Sequence, residues 1–242
     1  MSSSEKHIKE VRGLKLFKKK HKTIKKLLKE TSVPEIHGDK VWYSSYLILD
    51  YLQEHPPEKG AKILEIGCGW GILGIHCVKE FKSKVTGVDA DENVFPFLEI
   101  HAKLNKTKIT PLVSRYESLK GGLLAEQDMI LGGDICFWDE LIEPLYKLIK
   151  KAVKNGVETI IIADPGRSPF NKLAKRCKKE FGAELLDVEM DNPYKEDGYL
   201  LIIRQKDAVA AKTKGKAKSK ATGAAGKAAK VKTRKKPTPK GK

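Results

Sequence analysis

From Val41 onward the chain alternates between two apolar periodicities. Short runs of apolar residues predict strands buried on both faces at Lys62–Ile66, Lys84–Val88, Ile109–Val113, Met129–Leu131, Thr159–Ala163, Glu184–Val188 and Tyr199–Ile203. Stretches with apolar residues three and four apart predict helices at about Ser44–Glu54, Gly71–Phe81, Phe95–Leu104, Glu140–Ala152 and Asn171–Phe181. Strands and helices in alternation imply an α/β fold, a doubly wound, Rossmann-like sheet of seven mostly parallel strands covered on both faces. The last two strands are joined through Asp191-Asn192-Pro193-Tyr194 and Asp197-Gly198, a turn-rich connector too short for a crossover helix. They are therefore expected to form a C-terminal antiparallel hairpin.

The two ends read differently. Leu14 to Glu30 places Phe17, Ile24, Leu27 and Leu28 near one face of a possible amphipathic helix whose other positions are mostly lysine. From Ala208 the chain is built mainly from lysine, alanine, glycine, threonine and proline, with no aromatic residue and no large apolar residue except Val209 and Val231, a composition that cannot bury a core and is expected to be disordered. The organisation expected is a basic N-terminal extension over 1–30, one domain over 31–207 and a tail over 208–242. Charge follows the same division: the net +17 divides into +8 on the first thirty residues, +13 on the tail and −4 on the domain. A tail of that charge would bind nucleic acid without regard to sequence and with strong salt dependence.

Cys68, Cys77, Cys136 and Cys177 are scattered, with no Cys-x-x-Cys and no histidine at a ligand spacing, so neither a disulfide frame nor a metal site is expected. The six histidines are dispersed as well; His37 and His76 read as loop and helix residues rather than bases. No run approaches the roughly 18 apolar residues of a membrane span, and the start lacks a signal-peptide pattern. A soluble cytoplasmic protein with no membrane partner is the expectation.

The densest chemical signal is Glu65-Ile-Gly67-Cys-Gly69-Trp-Gly71, directly after the first strand. Glycines at alternate positions allow a tight turn, a close approach of backbone N–H groups to a ligand, and a helix start against the sheet. Asp89 closes the second strand 22 positions after Gly67, near the roughly 20-residue gap expected before an acid that grips a ribose. Gly69-Trp-Gly71-Ile-Leu-Gly74 also satisfies the looser dinucleotide fingerprint, so spacing alone leaves a nicotinamide or flavin site open. The full string Glu-x-Gly-x-Gly-x-Gly resembles the first motif of class I S-adenosylmethionine-dependent methyltransferases. That resemblance implies S-adenosyl-L-methionine as cofactor, with Glu65, Gly67, Gly69, Gly71 and Asp89 around it.

In doubly wound sheets ligands bind beyond the carboxyl ends of the strands. The third exit, Ser114-Arg115-Tyr116, falls where that family holds the adenine, which makes Tyr116 a flanking candidate. The fourth exit reads Gly133-Asp134-Ile-Cys-Phe137-Trp138-Asp139. Asp134 and Phe137 reproduce an Asp-x-x-Phe/Tyr pattern of the seven-strand protein lysine methyltransferases, which implies a carboxylate and an aromatic wall that orient an amine, with Asp134 also reaching the cofactor. The competing structural roles are a helix cap for Asp134, although Asp139 is better placed for it, and core packing for Phe137 and Trp138. After the fifth strand, Asp164-Pro165-Gly166-Arg167 completes a resemblance to the electron-transfer flavoprotein beta-subunit lysine methyltransferase branch and its uncharacterised bacterial relatives, in which this loop borders the active site. As bare chemistry it is a turn with an Asp164–Arg167 ion pair. Val41-Trp42-Tyr43-Ser44-Ser45 resembles the segment that lines the cofactor pocket in the same family, and a sulfonium favours an aromatic face such as Trp42. Asp191-Asn192-Pro193-Tyr194 looks like the box of adenine and glutamine methyltransferases, but it follows the sixth strand instead of the fourth.

These readings converge on a methyltransferase acting on a protein lysine, with Asp134 and Phe137 at the acceptor and Trp138, Asp164 and Arg167 at its edge. An RNA or DNA acceptor, or an inactive cofactor-binding fold tethered to nucleic acid, are the alternatives that the basic ends raise.

Overall fold

A computed structural model describes residues 7–30, 40–191 and 195–209, together with Pro34 and Gly38. Seven strands form one sheet: β3 (Lys62–Ile66), β4 (Lys84–Asp89), β5 (Thr110–Val113), β6 (Met129–Gly133), β7 (Thr159–Asp164), β8 (Glu184–Met190) and β9 (Glu196–Arg204). Their order is β5-β4-β3-β6-β7-β9-β8. All neighbours are parallel except β7 with β9 and β8 with β9. The predicted sheet and its antiparallel end are therefore both present. Pro111 is accommodated because β5 is an edge strand.

Helices cover both faces. On one side α2 (Ser44–Glu54), α3 (Ile72–Phe81) and α4 (Phe95–Leu104) bury Leu49, Leu52, Ile75 and Leu98 in a cluster with Ile63, Leu131 and Ile161. On the other, α5 (Gly121–Ala125), α6 (Ile142–Lys154) and α7 (Ser168–Phe181) close over Leu64, Ile130, Ile160 and Ile162. Successive strand residues thus feed opposite cores, which is why the strands read as continuous apolar runs. α5 was not legible in the sequence, and α7 begins three residues before the predicted start, with Pro169 in its first turn. The chain stays packed through Ala208, which is buried in the second cluster; the tail read from composition lies outside the described residues from 210 onward.

The N-terminal segment departs from expectation. Ile8–Val11 (β1) and Leu14–Phe17 (β2) form an antiparallel hairpin, and only Lys22–Glu30 (α1) is helical. A helix from Leu14 fails because Leu14 and Leu16 alternate with exposed Lys15, a period of two that buries both leucines against the domain. Two buried residues of the α4 end hold β2 in place. The Asn105 side chain accepts from the Lys15 N–H at 2.8 Å and donates to the Lys15 carbonyl at 2.8 Å, pairing with that peptide as a neighbouring strand would. His101 accepts from the Phe17 N–H at 3.2 Å through Nε2, while Nδ1 lies 2.7 Å from the Phe97 carbonyl, which assigns its proton to Nδ1. α1 then buries Ile24 with Trp70 and Phe97.

Burial pushes the His101 imidazole down to about 4, against the bond to the Phe97 carbonyl, which favours the charged form. A histidine whose folded value lies below its unfolded value near 6.5 binds fewer protons in the native state, so stability falls as pH falls through that window. Urea titrations should lose roughly 2–3 kcal/mol from this group between pH 6.5 and 4. His101→Gln should flatten that part of the profile.

Candidate active site

The chain direction across the sheet reverses between β3 and β6, which are neighbours although β4 and β5 intervene in sequence. A crevice opens at such a switch point beyond the strand ends. One wall is the turn after β3. Gly67, Gly69 and Gly71 all have positive φ, at 60°, 49° and 70°, and the turn is closed by a bond from the Cys68 N–H to the Val88 carbonyl at 3.0 Å. A Cβ at Gly71 would fall 2.7 Å from Leu98 Cγ, so packing as well as φ requires glycine there. Gly69 instead faces open space among the described residues, on the side where a ligand would lie.

Two acids fasten this turn. The Gly69 N–H donates to Asp89 Oδ2 at 3.0 Å, and the Asp91 N–H donates to Oδ1 at 3.1 Å. Asp89 therefore stands beside the open side of the loop at the end of β4, where the sequence places a ribose contact. Glu65 points the other way. Its Oε2 accepts from the Gly74 N–H at 2.9 Å, inside the first turns of α3, and the residue is only 3% exposed. Its side chain thus holds the helix start from beneath the loop, and a ligand on the open side would meet the turn it supports. Burial pushes the Glu65 carboxyl up to about 8, although bonds from Gly74 and Leu73 oppose the shift.

The other wall follows β6 and β7. Asp134 adopts φ 59°, a left-handed conformation that costs a non-glycine residue about 1–2 kcal/mol and so marks a position the surroundings impose. Its Oδ2 accepts from the Ser44 N–H at 3.1 Å, at the first residue of α2, and its Oδ1 pairs with the Arg167 guanidinium. The expected choice between capping and substrate is thus altered: Asp134 binds the start of α2, not the helix beyond Asp139, and Asp139 itself pairs with Lys172 at 2.8 Å. Asp164 is fully buried; its Oδ1 accepts from the Gly166 and Arg167 N–H groups at 2.9 and 2.8 Å. Its Oδ2 has no hydrogen-bond partner among the described residues and lies 3.7 Å from Arg167 Nε. Burial pushes the Asp164 carboxyl up to about 6.

The aromatic candidates flank the same region. Phe137 and Trp138 meet edge to face at 4.7 Å, with Trp138 half exposed, and the Arg167 guanidinium lies 6.0 Å from the Phe137 ring centre. Trp42 precedes α2 with the Lys40 ammonium 3.8 Å over its ring. Tyr116 is tucked against the loop, its hydroxyl 3.5 Å from where a Gly67 Cβ would be, and burial pushes its phenol well up. Ile135 packs against Gly67, so the exits of β3 and β6 touch. Sequence reasoning missed Trp70, which sits inside the glycine string. Its Nε1 donates to the Gly38 carbonyl at 2.8 Å and its ring stacks on Phe97 and His101 at 5.5 and 4.9 Å, joining the loop to the N-terminal segment. The signal was an aromatic between two obligatory glycines. The Ser44 amide was missed too, and a backbone donor leaves no signal in sequence. His76 is a buried helix residue of α3, as expected, whereas His37 and residues 192–194 of the set-aside box lie outside the described residues.

Among the described residues no group of histidine, cysteine, aspartate or glutamate gathers to hold a metal, no helix is long and apolar enough to cross a membrane, and all four cysteines are free and buried.

The sequence model of a lysine methyltransferase family matches residues 19–176, which begin after the β1–β2 hairpin and end within α7. The chain belongs to this family. A Xenopus laevis electron transfer flavoprotein beta subunit lysine methyltransferase is 26% identical over 131 residues, 54% of this chain and 52% of the relative. A Dictyostelium discoideum histidine protein methyltransferase 1 homolog is 42% identical over 77 residues, 30% of this chain and 25% of that protein. The chain spans about half the length of the electron transfer flavoprotein relatives it matches. Among solved structures, a methyltransferase from Pyrococcus furiosus superposes with a TM-score of 0.53 at 20% identity, covering 76% of this chain and 93% of that one. That likeness confirms the class I methyltransferase fold.

Two expectations follow for the loop. Gly71→Ala should lower stability by about 2–3 kcal/mol in chemical denaturation, from overpacking on Leu98 plus an unfavourable φ. Gly69→Ala should cost about 1 kcal/mol of stability yet weaken S-adenosylhomocysteine binding at least about tenfold by calorimetry. Glu65 has its own signature. A carboxyl raised in the folded state contributes stability that is complete below pH 4.5 and is lost as pH rises through 8. Glu65→Gln should abolish that decline in denaturation midpoints taken between pH 5 and 8.5.

Proposed function

We propose that this chain is an S-adenosylmethionine-dependent methyltransferase that modifies a lysine side chain of a protein. The observation that carries the reading is the meeting of the two strand exits: Ile135 rests on Gly67, so the segment that carries Asp134 and Phe137 adjoins the glycine loop at the switch point. Family membership and the lysine methyltransferase relatives support the same acceptor.

The residues present fit the cofactor. Gly69 leaves room beside it that a side chain would fill, and Asp89 offers a carboxylate at the end of the adjacent strand. Gly67, Gly69, Gly71 and Asp89 would hold S-adenosylmethionine, with Tyr116 and Trp42 at its flanks and Glu65 supporting the loop. When bound, it supplies an electrophilic methyl group on a sulfonium. The chain's own task is then to bring an amine into line, because alignment supplies much of the acceleration in a bimolecular displacement. Asp134 attracts the ammonium, and Phe137 and Trp138 give its alkyl stem an apolar wall. A lysine in water holds its proton to about 10.4; Asp134 favours keeping it, desolvation against the rings favours losing it to solvent, and the neutral amine so formed attacks the methyl group.

The test uses purified protein, isotopically labelled cofactor and cell lysate, followed by protein mass spectrometry. Label on lysine is the expected result. Label on histidine would move the acceptor toward that named for the Dictyostelium relative, and nuclease-sensitive label would move it to the nucleic acid that the basic ends could attract. Asp134→Asn should lower turnover on the labelled protein by about 10²-fold while S-adenosylhomocysteine affinity stays within about threefold.

A further inference from the structure

We propose that Arg167 is a built-in stand-in for the acceptor's ammonium, exchanged for it when a lysine enters, with Asp164 as the place to which the guanidinium retreats. The inference rests on the reading of Asp134 and Phe137 as the acceptor's carboxylate and aromatic wall. In the structure that position is already taken by a cation of the chain itself. Arg167 pairs with Asp134 Oδ1 and stands over the Phe137 ring at 6.0 Å, while the Asp134 side chain beneath it is 4% exposed. No lysine from outside reaches Asp134 until Arg167 moves.

Three observations give the arginine somewhere to go. Asp164 Oδ2 is a buried acceptor without a hydrogen-bond partner among the described residues, and a buried carboxylate oxygen is costly to leave unpaired. It lies 3.7 Å from Arg167 Nε, so a small rotation makes the missing bond. The backbone on which the side chain turns is fixed, since Asp164 Oδ1 binds the Gly166 and Arg167 N–H groups and α7 starts at the next residue. The charge count agrees. Two carboxylates face one guanidinium, and Arg167 is the ion-pair partner of both among the described residues, which leaves the ionised site one positive charge short. An alkylammonium supplies that charge and a neutral acceptor does not. Exchange of one cation for another also keeps Asp134 paired throughout, avoiding an uncompensated buried charge.

The probe is n-butylammonium, a lysine side chain without its backbone, with n-butanol as the neutral control, titrated by NMR into protein saturated with S-adenosylhomocysteine. Arg167→Met should bind n-butylammonium at least about tenfold tighter than the wild type, with n-butanol unchanged, because the competing cation is gone. Asp164→Asn retains an acceptor for the two N–H groups but removes the retreat; it should weaken n-butylammonium binding several-fold in the wild-type background and have no effect beside Arg167→Met. Arg167→Lys should bind like the wild type. Unchanged, weaker or absent n-butylammonium binding by Arg167→Met, or an Asp164→Asn loss of equal size in both backgrounds, overturns the exchange and makes Arg167 a fixed support. Arg167→Gln is made in parallel, and retained S-adenosylhomocysteine affinity shows which variants are folded. Failure of the wild type to bind S-adenosylhomocysteine would refute the cofactor reading instead, and label found only on other residues in lysate would refute the lysine reading; neither result is produced by a fixed Arg167.

Discussion

Four carboxyl groups stand in a row along the crest of the sheet, at the ends of the adjacent strands β4, β3, β6 and β7, and each is tied down by main-chain N–H groups. Asp89 holds Gly69 and Asp91, Glu65 holds Gly74, Asp134 holds Ser44, and Asp164 holds Gly166 and Arg167. A parallel sheet ends in loops whose amides have no strand to pair with, and these side chains satisfy them. The same bonds set the shape of the crevice, because they fix the glycine turn, the entry of α2 and the loop before α7. Burial raises the carboxyls of Glu65, Asp89 and Asp164 above the usual carboxylate range.

The parts of this arrangement that depend on local spacing were legible in the sequence. Gly67, Gly69, Gly71 and Asp89 are separated by turn and strand lengths, and apolar runs named every strand of the large sheet. What could not be read was direction and distant pairing. Nothing in the string Glu-x-Gly shows that Glu65 turns beneath the loop; that follows from strand register, which puts its side chain toward α3. The bond from Ser44 to Asp134 crosses 90 positions, as does the clamp of Asn105 on Lys15. The first strands were hidden because lysines punctuate them and the nearby apolar residues of α1 fit a helical period when counted together.

The N-terminal segment reaches the site through the Trp70 indole as well as through the Arg12–Asp50 ion pair on α2. Trp70 lies between two glycines of the glycine loop, yet its ring stacks on Phe97 and His101, and His101 in turn accepts from the Phe17 amide of the hairpin. A change that loosens the hairpin therefore reaches the loop by way of two stacked rings, without passing through the sheet. The family match starts at residue 19, after β1 and β2, which are anchored onto α4 through Asn105 and onto α2 through the Arg12–Asp50 ion pair.

All three tryptophans of the chain lie in the segments that surround the crevice: Trp42 before α2, Trp70 in the glycine turn and Trp138 beyond β6. Their surroundings differ, since Trp70 is buried against a neutral imidazole, Trp42 lies under an ammonium and Trp138 is half open to water. Emission excited selectively at the indoles consequently reports from the segments around the crevice, with three chromophores of distinct polarity giving ligand entry an optical readout that needs no added label.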